Sequence, residues 1–286
     1  MTKILLLTGL FFLSLFARAT PSLVVMGADG ENSAIAITDP IYSRVTTAIV
    51  EQMVFRGFTT YADNDIFTLD YQRTGKRTDK RVKALARSIQ SQPIDILVQF
   101  TIHLHTPENQ YKTRKAVKAR LVGKLIYIAT GEALGSFETK ASDSWFVPIN
   151  CTSVCLSESV GSYASWLAEE LGAVLAEMLD HEVNRPDFTY KHQINFVQMS
   201  DEHIARFMAA LPQAEGYVNV VQYKDIGVML SSRQRREKVA VTLQQLVSGW
   251  SVPVRVEQLG SVFSVSVNAS PVQQEKQEVD VSSIFN

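Results

Sequence analysis

From Ser157 to Glu182 the chain sets Val160, Tyr163, Ala164, Leu167, Leu171, Val174, Leu175 and Met178 at three- and four-residue spacing, one continuous apolar stripe. A stripe of that kind is a long helix lying on an apolar surface. Its other face carries Glu169, Glu170 and Glu177 and reads as solvated. The surface it needs comes just before it. Ile94 to His105, Ala116 to Ile128 and Ala133 to Thr139 read as strands, the last two joined at Thr130-Gly131-Glu132, where glycine suits a hairpin connection. Upstream, Ile41 to Arg56 and Thr78 to Ile89 read as helices, stopped by Gly57 and capped by Thr78 respectively. Leu23 to Met26 and Phe58 to Tyr61 are short strands. Residues 20–184 are therefore expected to form an α/β (α+β) domain, a mixed sheet with flanking helices.

Asn184-Arg185-Pro186-Asp187 ends the long helix and reads as a linker. Beyond it, residues 188–269 give strand, helix, strand, strand, helix and a terminal hairpin: Ile194 to Val197, Asp201 to Leu211, Tyr217 to Tyr223, Ile226 to Ser231, Glu237 to Trp250, then Val254 to Gln258 and Val262 to Val267. This βαββαβ order is the ferredoxin-like arrangement, with one added edge strand. The tail, residues 270–286, is polar and without periodicity, as disordered segments are.

The first nineteen residues pair an early cation, Lys3, with the apolar run Ile4 to Phe16 and then Ala17-Arg18-Ala19. That is the pattern of a secretory signal, with cleavage expected after Ala19. The run is shorter than the roughly 20 apolar residues that span a bilayer, and no cysteine follows it to accept a lipid. The expected location is the periplasm, without lipidation; a retained N-terminal anchor is the alternative. Two cysteines, Cys151 and Cys155, lie four apart. In an oxidising compartment the pair is expected as a disulfide fixing the entry into the long helix, with a reduced pair and a metal site as the other readings. A formal net charge of −1 argues against bulk electrostatic binding of nucleic acid.

No nucleophile elbow, phosphate loop, zinc-binding helix or dinucleotide glycine pattern occurs, and neither a cofactor nor a metal is expected. His103 and His105 share one face of a strand, but two ligands do not close a metal site. His181, His192 and His203 read as surface residues. The run Arg73, Lys76, Arg77, Lys80, Arg81, Lys83 and Arg87 is the densest cationic feature, opposed within it only by Asp79. It is either a solvated helix face or a site for an anionic surface or acidic partner. Arg233, Arg235, Arg236 and Lys238 open the last helix against its dipole, which favours a role outside folding. Phe196, Phe207, Tyr217 and Tyr223 are expected to pack rather than to stack on bases.

The succession of Ile41 to Arg56, Gly57-Phe58-Thr59-Thr60-Tyr61, Pro93-Ile94-Asp95-Ile96-Leu97-Val98, a hairpin at Ala129-Thr130-Gly131-Glu132 and a long closing helix resembles the N-terminal domain of TolB. It is similar also to the related curli secretion lipoprotein CsgG, the penicillin-binding-protein activator LpoB and the middle domain of the flagellar ring protein FlgT. No β-propeller follows, no lipid-acceptor cysteine is present, and the Cys151/Cys155 pair is outside the general pattern. The resemblance implies an interaction module of an envelope machine. The expected function is that of a non-enzymatic accessory or assembly protein of the periplasm, bound to outer-membrane, flagellar or secretion proteins, with oligomerisation open. The alternatives are a peripheral membrane- or wall-binding protein that uses residues 73–87, and an enzyme whose groups converge only in the fold.

Overall fold

The computed structural model describes residues 20–29, 37–67, 77–89, 91–92, 94–105, 113–141, 144–223, 227–259 and 262–267. The expected signal, Arg73, Lys76 and the tail 270–286 lie outside them.

The first sheet comprises β1 (Ser22–Ala28), β2 (Thr59–Ala62), β3 (Ile96–His105), β4 (Arg114–Tyr127) and β5 (Ala133–Lys140), in the order β2-β1-β3-β4-β5. A short strand, β6 (Trp145–Pro148), pairs with the beginning of β4. β1 runs parallel to both of its neighbours, whereas β3, β4 and β5 form an antiparallel meander. Parallel neighbours need crossovers. Helix α1 (Pro40–Phe55) supplies the one from β1 to β2; a single turn, α2 (Asp63–Ile66), and helix α3 (Asp79–Ser88) lie between β2 and β3. Each longer helix packed on this sheet starts on a capping side chain: Asp39 accepts from the Ile41 N–H, Thr78 from that of Arg81, and Thr152 from that of Cys155. The β4–β5 turn places Gly131 at φ 77°, as a glycine hairpin connection requires.

Alternation along the strands assigns the two faces of this sheet. Ile96, Val98, Phe100 and Ile102 of β3, with Val117, Ala119 and Leu121 of β4, face α1 and the long helix α4 (Ser153–Val183) in the main core. Val24, Met26, Leu97 and Ile126 face the other way, against Val82, Leu85 and Ala86 of α3. α4 settles on β4 at Gly123, where an added Cβ would lie 2.5 Å from Leu175 Cδ1. It begins four residues before the Ser157 expected from the apolar stripe, so Cys155 sits in its first turn.

The second sheet is ordered β10-β11-β7-β9-β8. It comprises β7 (Tyr190–Val197), β8 (Tyr217–Tyr223), β9 (Gly227–Ser232), β10 (Val254–Leu259) and β11 (Val262–Val267), packed on α5 (Asp201–Ala210) and α6 (Arg236–Val247). The overall mixed α+β class is that expected, with β6 and the turn α2 as elements beyond those read from the sequence. The added strand, however, is not at the edge. β11 lies between β10 and β7, antiparallel to the first and parallel to the second, so the strand following α6 is displaced outward. Side chains explain the choice: β11 buries Phe263, Val265 and Val267 on one face, whereas β10 exposes Arg255, Gln258 and Leu259. The more apolar strand takes the interior.

Candidate interaction surfaces

The two sheets meet through a buried ion pair. Asp95, at the start of β3, accepts from Arg236 Nη2 at 2.9 Å and from the Ser22 N–H at 3.0 Å; the same Nη2 reaches the Ile94 carbonyl at 3.2 Å. The side chains are 7% and 3% exposed. Burial pushes the Asp95 carboxyl up, and the Arg236 and Arg235 guanidiniums pull against it. Arg235 also donates to Ser22 Oγ, and the Lys191 N–H donates to the Tyr127 hydroxyl at 2.8 Å. The arginines at the start of α6 thus join the two parts of the chain, which corrects the expectation that they act outside folding.

His192 is likewise not a surface residue. It is 1% exposed, set between Tyr190 and Phe263, with Nε2 3.1 Å from the Gln234 carbonyl. Burial pushes its pKa down to about 4. The unfolded chain takes up this proton near pH 6.5 and the folded chain only near 4. The stability it permits is therefore complete above pH 6.5 and is lost as pH falls through that window, by about 3 kcal/mol at the acid end. His192→Gln is expected to flatten the pH dependence of urea unfolding across this range; an unchanged slope would refute the assignment. Asp63 and Asp95, whose carboxyls are raised, bend the profile in the opposite sense and cancel when the two proteins are compared.

The expected basic run does not form one surface. Arg77 is 3% exposed and its Nη1 lies 2.7 Å from Asp63, while its backbone N–H donates to Asp29 at 2.6 Å. It is an internal strut under α2 rather than a candidate for anionic surfaces, because its guanidinium neutralises a carboxylate already out of water. Burial nonetheless raises the Asp63 carboxyl. Arg87 is exposed but donates from Nε to the Ile128 carbonyl at 3.2 Å, bracing the β4–β5 turn. Of the rest, Lys80 is exposed and Arg81 and Lys83 are half-buried. Asp79 accepts from Lys124 Nζ at 3.0 Å and Gln99 Nε2 at 2.7 Å. Partial burial raises its carboxyl, but Lys124 and Gln99 outweigh this and hold it below the usual range.

Cys151 and Cys155 form a disulfide with Cα atoms 5.4 Å apart, tying the chain leaving β6 to the first turn of α4. A polar cavity of about 90 Å³ beside Asp39, Tyr42, Asp63 and Arg77 lies at the carboxyl end of β1, and a groove of about 200 Å³ lies between Tyr127, Arg185, Phe188 and Lys191. Both are smaller than the roughly 300 to 1,000 Å³ usual for small-molecule sites. Among the described residues no group of three or more histidine, cysteine or acidic side chains is placed to hold a metal, and no helix is long and apolar enough to cross a membrane.

Two larger surfaces are more distinctive. α3 covers only the Leu97/Ile126 end of its side of the sheet. The remaining floor shows His103 opposite Arg120, His105 opposite Lys118, and Arg120 opposite Lys140, with Arg114 and Lys124 on the same face. β4 carries five cations and no acid. Arg120 pairs with Glu138 at 3.3 Å and Lys124 with Asp79; among the described residues Arg114, Lys118 and Lys140 have no carboxylate partner. Partial burial and Arg120 lower the His103 pKa. On the opposite side of the molecule α4 carries six carboxylates and neither lysine nor arginine along 31 residues. Trp166 and Tyr163 stand among them, 56% and 46% exposed, and Tyr163 stacks on Trp145 at 4.6 Å. Net charge conceals this separation. The signal is legible as an acid-free strand and a helix lacking basic residues other than His181, which a search for dense basic runs passes over.

No protein-family model and no curated protein matches this chain. Its backbone is similar to a DUF330 protein of Xanthomonas campestris at 8% identity, covering 59% of this chain and 90% of that one, with a TM-score of 0.35. The PelC dodecamer of Paraburkholderia phytofirmans matches at 16% identity, 57% and 90% coverage and a TM-score of 0.32. Lipoprotein GNA1162 of Neisseria meningitidis matches at 12% identity, 50% and 94% coverage and a TM-score of 0.32. The likeness is a distant, partial overlap of fold.

Proposed function

We propose that this chain is exported to the periplasm and works there as a non-catalytic accessory or assembly protein of a cell-envelope machine, by binding other proteins. The observation that carries the reading is the pair of surfaces of opposite charge that the described residues leave uncovered, one on the sheet and one along α4 with its exposed aromatics. Flat charged surfaces with aromatic anchors suit macromolecular partners better than small substrates. The leader-like residues 1–19 and the resemblance of residues 20–184 to the TolB N-terminal domain support the envelope setting.

A photo-crosslinking residue placed at Lys118 or Trp166 in intact cells tests this. Adducts with periplasmic or outer-membrane proteins, formed by a chain lacking residues 1–19, are expected. Full-length chain in the cytosol, or no protein adduct from either position, would overturn the proposal.

A further inference from the structure

We infer that the cationic floor of the first sheet binds the acidic outer face of α4 on a second copy of this chain, head to tail. The inference rests on the reading of this chain as a binding protein and names a partner for the same surfaces. The match is in charge first. Arg114, Lys118 and Lys140 have no carboxylate partner among the described residues, and α4 offers Glu158, Glu169, Glu170, Glu177 and Asp180. At about 100° per residue these five lie within an arc of about 140°, together with Tyr163 and Trp166. Of the five, Glu177 already has a cation near it, Arg56 at 3.7 Å. Exposed rings beside carboxylates receive a lysine or arginine head both on the ring face and on the oxygens.

Dimensions agree as well. Glu158 to Glu177 spans about 29 Å of helix, and Arg114 to Lys124 about 34 Å of strand. Both stripes are roughly one helix wide, about 10 to 12 Å. Because the sheet separates the two surfaces, they point in opposite directions, so one two-fold pair cannot satisfy both. The contact is heterologous and passes from copy to copy, closing as a ring or continuing as a stack. Stripes of this size bury about 700 Å² in total, below the roughly 1,200 Å² of stable complexes, so association is weak and strongly concentration-dependent. A bilayer fits the floor less well. α3 stands on the same side of the sheet and projects by about a helix diameter, so a plane meets α3 before it meets Lys118 or Lys140.

Sedimentation velocity on the purified chain from Thr20 onward, from low micromolar to several hundred micromolar, is the test. The average mass is expected to rise with concentration at about 0.05 M salt and to return to monomer at about 0.5 M. Lys118→Glu/Lys140→Glu carries acid on both surfaces and Glu169→Lys/Glu170→Lys carries base on both. Each is expected to be monomeric alone and to associate when the two are mixed, with unchanged thermal melts. Unaltered protein that stays monomeric throughout, association indifferent to both reversals, or a mixture that stays apart would each overturn the inference. So would a monomer that co-sediments with phosphatidylglycerol vesicles through Lys118 and Lys140, which makes the floor a lipid surface. If the purified chain is monomeric while the cellular crosslinks capture another protein, this inference fails and the proposed function stands.

Discussion

Asp95→Ala is expected to lower unfolding stability by about 3 to 5 kcal/mol, more than any other single change at the junction of the two sheets. The carboxylate is the acceptor for Arg236 Nη2 and for the Ser22 N–H, both out of water. Removing it leaves a buried guanidinium with the Ile94 carbonyl and no counter-charge, and it leaves the first amide of β1 without its acceptor. The damage comes from the uncompensated cation rather than from the lost pair, so Asp95→Ala/Arg236→Leu should recover most of the loss. Urea unfolding of the two variants decides the matter. A loss below about 1 kcal/mol for Asp95→Ala, or no recovery in the double variant, contradicts the reading.

Leu171→Ala is expected to cost about 2 to 5 kcal/mol. Leu171 is fully buried, and its methyls lie where Gly123 lets α4 come down onto β4; a Cβ at Gly123 would be 3.0 Å from Leu171 Cδ1. Close approach leaves little room for neighbours to relax into the space, so both the transfer loss and the cavity are felt. Trp166→Ala, on the opposite side of the same helix, is expected to stay within about 0.5 kcal/mol despite removing a larger ring, because Trp166 is 56% exposed. Comparable losses for the two would place α4 differently on the sheet.

Much of the fold was legible because its elements are long and regular. The stripe on α4, the alternation of β3 and β4 and the caps at Thr78 and Ser200 each report one local rule, and the elements stand where those rules place them. Short or dual-purpose segments were not legible. Trp145–Pro148 has four residues and ends on proline, too few to show a period, yet it pairs with β4. The place of β11 depends on which of two adjacent strands is the more apolar, a comparison that a count of elements leaves out. Arg77, His192 and Arg236 failed for a common reason. A charged or polar residue is read as exposed until its partner is known, and the partners, Asp63, the Gln234 carbonyl and Asp95, lie 14, 42 and 141 residues away.

The interior position of β11 has a consequence for when this protein can acquire its structure. β7 is among the first residues of the second sheet to be synthesised and β11 among the last, yet they are neighbours in it. A nascent chain halted before Val262 leaves one edge of β7 open and β10 without a partner strand among the described residues, so the sheet cannot close while the ribosome still holds β11. The second sheet therefore stays incomplete until Val262–Val267 has emerged, whereas the first, whose strands all precede α4, can form well before then.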